Sequence, residues 1–83
     1  MYVHVGENVI LKTEDIIVFL DVDTLKQSRS NLRILNMLKD KGPEIKTVII
    51  TEKNGETVEV FSIISTTTLK NRIEKFKKKS NLK

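Results

Sequence analysis

The chain opens on short alternations of apolar and polar residues. Tyr2–Val5 and Asn8–Leu11 are β-prone runs separated by Gly6-Glu7, which predicts a small hairpin or a bent strand. Asp15–Leu20 is a stronger strand: Ile16, Val18 and Leu20 point one way and Ile17 and Phe19 the other. A strand apolar on both sides needs cover on both. From Ser28 to Lys41 the period becomes that of a helix, with Leu32, Leu35 and Leu38 sharing a face and Ser28 or Ser30 placed to cap the first amides. Ile34 and Met37 fall outside that stripe and widen the apolar arc. Gly42-Pro43 ends the helix, glycine taking the left-handed position and proline unable to continue.

The strongest local signal is Asn54-Gly55, between Lys46–Lys53 and Glu56–Ile63. Such a two-residue turn needs positive φ at both central positions, and it sets Ile49 opposite Val60 and Val48 opposite Phe61. A last helix follows, capped by Ser65, Thr66 or Thr67, with Leu69, Ile73 and Phe76 as its stripe. Lys70, Arg72 and Lys77 flank that stripe, while Lys75, Lys78 and Lys79 face outward. The pattern predicts an α+β fold: a small, mostly antiparallel sheet of four to five strands with two helices. Two helices shield one face of such a sheet. A second apolar face left open is rare on a monomer, which predicts a homo-oligomer.

Length sharpens that expectation. Eighty-three residues make one domain without repeat or linker, and a chain near this size buries only about 60% of its unfolded surface. It contains no cysteine, so neither a disulfide nor a thiolate metal site can brace it, and a single histidine, His4, leaves only carboxylates for a metal cage. The opening residues lack the basic and apolar regions of a signal peptide. The longest apolar run, Ile16–Leu20, is far short of a membrane span, so the expected protein is cytoplasmic with no membrane partner.

Charge is unevenly placed. Residues 66–83 hold seven Lys/Arg and one Asp/Glu, and residues 1–65 hold eight and ten, so the net +4 arises from +6 at the end and −2 elsewhere. An anionic partner is implied; a solvated basic terminus that aids solubility is the plainer alternative.

Candidate chemistry is sparse. "IIVFLDVDTL", Ile16–Leu25, resembles the nucleophile strand of haloacid-dehalogenase-like phosphatases, with Asp21 as nucleophile and Asp23 as acid/base. The later acidic pair and the doubly wound core which that chemistry requires are missing. The aspartates are better read as ending a strand, with Asp23 or Thr24 opening the turn into the helix. His4 reads as a strand residue, and no catalytic role, cofactor or small-molecule substrate is expected. Single-strand binders interleave cations with stacking aromatics, and the last helix offers only Phe76, in its buried stripe. Duplex DNA held by its phosphates needs only placed Lys and Arg, repeated in an oligomer.

Two stretches, "MYVHVGENVILKTEDIIVFLD" and "FSIISTTTLKNR", together resemble the small extracellular matrix regulators of Gram-positive bacteria, the RemA/RemB-like family, closer to its RemB-like branch. The shared positions are Met1, Tyr2, His4, Gly6 and Asp21, then Ser62, Ser65, Thr68, Leu69 and Arg72. The resemblance implies a single domain over 1–79; the basic tail at 80–83 is expected to be poorly ordered. The resemblance also implies a ring-forming, DNA-binding transcriptional regulator linked to biofilm matrix genes. RemA-like members contact DNA through arginines before the first long strand and before the final hairpin. Here those places read KTED and PEIK, leaving Lys12 and Lys46. The expected DNA contacts are therefore Lys12, Lys46, Lys70, Arg72, Lys75, Lys77, Lys78 and Lys79. The alternative is a protein-interaction or assembly module without DNA binding.

Overall fold

The computed structural model of the chain describes residues 1–6, 8–28 and 31–81, with side chains through residue 74. Strands β1 (Tyr2–His4) and β2 (Ile10–Lys12) form the first hairpin. They pair antiparallel, with Tyr2 opposite Lys12, Val3 opposite Leu11 and His4 opposite Ile10. A 3₁₀ turn, Thr13–Asp15, then leads into β3 (Ile16–Asp21) and α1 (Val22–Ser28). Helix α2 (Leu32–Lys41), strands β4 (Thr47–Lys53) and β5 (Glu56–Ser62), and helix α3 (Thr66–Asn81) complete the chain.

The fold is α+β, and it differs from the expected one in two respects. The strands form two sheets, a β1–β2 pair and an antiparallel β3–β4–β5 sheet, rather than one of four or five strands. The 3₁₀ turn breaks the extended backbone between β2 and β3, so the hairpin ladder stops there. The described helices also include α1, which the sequence reading placed in a turn. Its start is fixed by Asp21, whose Oδ2 accepts hydrogen bonds from the Thr24 backbone N–H at 3.1 Å and from Thr24 Oγ1 at 3.2 Å. A carboxylate satisfying an orphan amide three residues on is an N-cap. The D-x-D-x-T stretch is thus a strand end and a helix start, with Asp21 rather than Asp23 or Thr24 as the opening residue.

Register on β4 and β5 is as the Asn54-Gly55 turn predicts: Val48 faces Phe61 and Ile49 faces Val60. Asn54 and Gly55 take φ of 54° and 81°. Strand alternation then divides the molecule into two cores. On one side of the sheet Val48 packs with Val22, Leu25, Ile34 and Leu38 from α1 and α2. On the other Ile49 packs with Val3, Val5 and Leu69, joining the first hairpin and α3 to the sheet. Both faces of the three-stranded sheet are therefore covered within one chain. Each face thus carries its own buried core rather than one lying bare, although Val18 and Val58 stay exposed at 41% and 52%.

Helix α2 differs in detail. Ile34 and Leu38 are buried, Leu35 is half-buried, and Leu32 is 66% exposed. An i, i+4 pair lies along one line of a helix, and with α1 beside it the Ile34–Leu38 line meets β4. Leu32, the first helical residue, is left at the tip. Ser28 ends α1 and donates to the Leu25 carbonyl, while α2 begins only after Asn31; Ser30 lies outside the described residues. Asn31 precedes α2 without a side-chain cap. Gly42 ends α2 at φ 104° and ψ 167°, a glycine-only conformation rather than the left-handed helical one.

Candidate nucleic-acid interface

Helix α3 is rooted at its first turn. Ser65 Oγ accepts the Thr68 N–H at 3.3 Å and donates to Thr68 Oγ1 at 2.9 Å, so Ser65 is the cap among the three candidates. Thr66 Oγ1 lies 2.9 Å from Thr47 Oγ1, which itself donates to the Ile64 carbonyl at 2.8 Å. Ser62, 1% exposed, donates its hydroxyl to the Val5 carbonyl and accepts the Ile64 N–H at 3.0 Å. One turn into the helix, Leu69 is fully buried and Ile73 packs on the same core.

The cations can be placed against this frame. Lys70 is exposed on α3. Arg72 Nη1 donates to the His4 carbonyl at 2.9 Å. In the hairpin, Val5 N–H bonds to the Val9 carbonyl and Thr13 N–H to the Met1 carbonyl. Residues 2 and 4 are thus the non-bonded pairs of the ladder, with carbonyls pointing off its outer edge. Arg72 fills one of those vacant acceptors and ties α3 to β1. Its role is at least partly structural, although the residue remains exposed. Lys12 is exposed on β2 with its ammonium 5.9 Å from the Tyr2 ring centre, and Tyr2 is itself 60% exposed. Hence Lys12 and Arg72 gather on the first hairpin. Lys46 is exposed just before β4, where its N–H donates to the Ser62 carbonyl and its carbonyl accepts from Val22. The side chains of Lys75, Lys77, Lys78 and Lys79, and the Phe76 position in the stripe, lie outside the described residues; their backbone is helical within α3.

Of the motif positions near the end of the chain, Ser62, Ser65, Thr68, Leu69 and Arg72 all have partners within the fold. They join β5, α3 and the first hairpin, and none is left over as a reactive group. Near the hairpin, Glu14 accepts from Thr13 Oγ1 at 2.8 Å and from the Met1 amino group at 3.3 Å. The Thr13 hydroxyl, then its own backbone amide and the Met1 ammonium, hold its carboxyl below the ordinary value of 4.5.

Sequence reasoning missed two features. Opposite pairing in the first hairpin brings the exposed Tyr2 ring beside Lys12, which its short turn could have revealed. A groove of about 620 Å³ lies between α1, α2 and the turn after α2, lined by Val22, Lys26, Leu32, Leu35, Lys39 and Ile45 among others. Without α1 in the predicted fold, nothing pointed to it. Among the described residues, no helix is long and apolar enough to cross a membrane. No protein-family model, curated protein or solved structure matches the chain.

Proposed function

We propose that the chain is an oligomeric DNA-binding regulator that holds duplex DNA by its phosphates. The observation that carries this reading is the union of charge and anchorage in α3. Seven of the fifteen Lys/Arg of the chain follow residue 65, on and after a helix whose first turns are fixed by Ser65, Leu69 and Arg72. A cation array on a rigid support loses less entropy on meeting a phosphate row than a loose tail does. Lys12, on the hairpin that Arg72 grips, and Lys46 supply further positive charge. The resemblance to the RemA/RemB-like regulators favours the same reading and adds ring assembly and biofilm matrix genes as its biological setting.

Fluorescence anisotropy with a duplex at roughly 50 and 200 mM salt tests it, because neutralising six or more phosphates costs about 10³-fold or more in affinity between those salts. Replacing Lys77, Lys78 and Lys79 together by Gln should weaken binding and flatten the salt slope. A variant that binds as tightly as the parent moves the contacts to Lys12 and Lys46. Absence of binding at the lower salt rejects the DNA reading. The groove beside Leu32 favours the second reading, a protein-interaction module, in that event.

A further inference from the structure

The groove between α1 and α2 has an apolar floor of Val22, Leu32, Leu35 and Ile45 and two lysines, Lys26 and Lys39; no acidic side chain lines it among the described residues. The Glu44 carboxylate stands over Gly42, its Oε1 2.9 Å from where a Cβ would lie. Leu32 is 66% exposed there, more than any other large apolar residue described. A concave apolar surface edged by cations calls for a convex apolar segment edged by anions.

The same chain carries one. Glu14 and Asp15 end the 3₁₀ turn, and Ile17 and Val18 follow at 57% and 41% exposure. The register explains why two successive β-branched residues stand in solvent. Ile16 pairs with Thr51 and Val18 with Ile50, so Ile17 is the extra residue of a β-bulge. Bulges re-aim side chains at functional edges. The segment reads acid, acid, half-buried anchor, then two exposed apolar residues.

A chain cannot place this segment in its own groove. Glu14 and Ile17 lie at the start of β3, and the groove begins with Val22, just past its end. Six strand residues separate those ends by about 20 Å. We propose that the groove between α1 and α2 receives the Glu14–Val18 segment of a second copy of this chain. Ile17 and Val18 lie against Leu32 and Leu35, while Glu14 and Asp15 meet Lys26 and Lys39. Two different patches meet in this contact, so each copy offers one of each. The proposal rests on the oligomer half of the reading above and is independent of its DNA half.

Sedimentation velocity on the intact chain and three charge variants tests it. The variants are E14K/D15K, K26E/K39E, and all four substitutions together. The parent is expected to assemble and each double variant to be monomeric, with association weakened about tenfold or more, or ~1.4 kcal/mol. Mixing the two double variants, or combining all four changes in one chain, restores assembly, because both then bring opposite charges together again. Restoration also shows that the double variants are folded. Leu32→Asp alters only an exposed side chain and is expected to dissociate the assembly without loss of helical circular dichroism. A parent that assembles while the double variants and Leu32→Asp assemble equally well overturns this contact and leaves the oligomer standing. A monomeric parent at about 100 µM, a hundredfold above a micromolar Kd, overturns both and leaves the groove to a different acidic, apolar partner. Duplex anisotropy on the same samples reports the DNA half separately.

Discussion

Ser62 shows how much a small side chain carries in this chain. Its hydroxyl joins the Val5 carbonyl to the Ile64 N–H in a site from which water is excluded. Ser62→Ala leaves both backbone groups unpaired and is expected to cost about 1–3 kcal/mol, read from urea unfolding. Arg72→Lys keeps the charge but loses the planar fork that reaches the His4 carbonyl. A residue serving only phosphates would change DNA affinity alone; Arg72 is expected to change unfolding midpoint as well. Glu14 gives a pH test. Its carboxyl is held low by Thr13 and the Met1 ammonium, so the tie is fully present above the ordinary glutamate pKa and lost as pH falls through the lowered one. An NMR titration should find Glu14 below the ordinary value of 4.5, and Thr13→Val should bring it back toward that value.

Individual elements were legible where local chemistry decides them. Asn54-Gly55 set the β4–β5 register residue by residue, a cap within Ser65–Thr67 opened α3, and Gly42 closed α2, though not in the left-handed conformation expected of it. Helix α1 escaped because Asp21 sits at the end of an apolar strand, and "DVDTLKQS" has too few apolar residues to display a helical period. Its two buried residues, Val22 and Leu25, gain their burial from α2 and β4, which are contacts of tertiary structure. The cover on the second sheet face was hidden for the same reason: alternation says that a face is apolar, not what lies on it. Of the candidate site, the charge of α3 was readable, but the use of Arg72 was not, since it depends on a carbonyl in the first hairpin. Gly42 carries the prediction at this scale. A Cβ there would stand 2.9 Å from Glu44 Oε1 on a backbone that L residues avoid. Gly42→Ala should destabilise by about 1–3 kcal/mol, and more than Gly55→Ala, whose Cβ would meet nothing within 4 Å.

At the scale of the whole molecule, stability is divided between two small cores. A domain of this length is held by only about 4–12 kcal/mol in total. Leu69→Ala in one core and Leu38→Ala in the other should each remove about 2–5 kcal/mol. Their side chains lie on opposite sides of the sheet, so the two losses should add to within about 0.5 kcal/mol. Thermal or urea unfolding of the double variant, compared with the single ones, checks this. Val48 and Ile49 are the exception to such independence. They are consecutive in β4, both fully buried, and each belongs to a different core. The central strand therefore cannot lose its hydrogen-bonded partners through the opening of α1 and α2 alone, because the hairpin and α3 still hold its other side. In native-state hydrogen exchange, the β4 amides should be the slowest in the chain and report global unfolding, while α1 exchanges earlier through a subglobal opening.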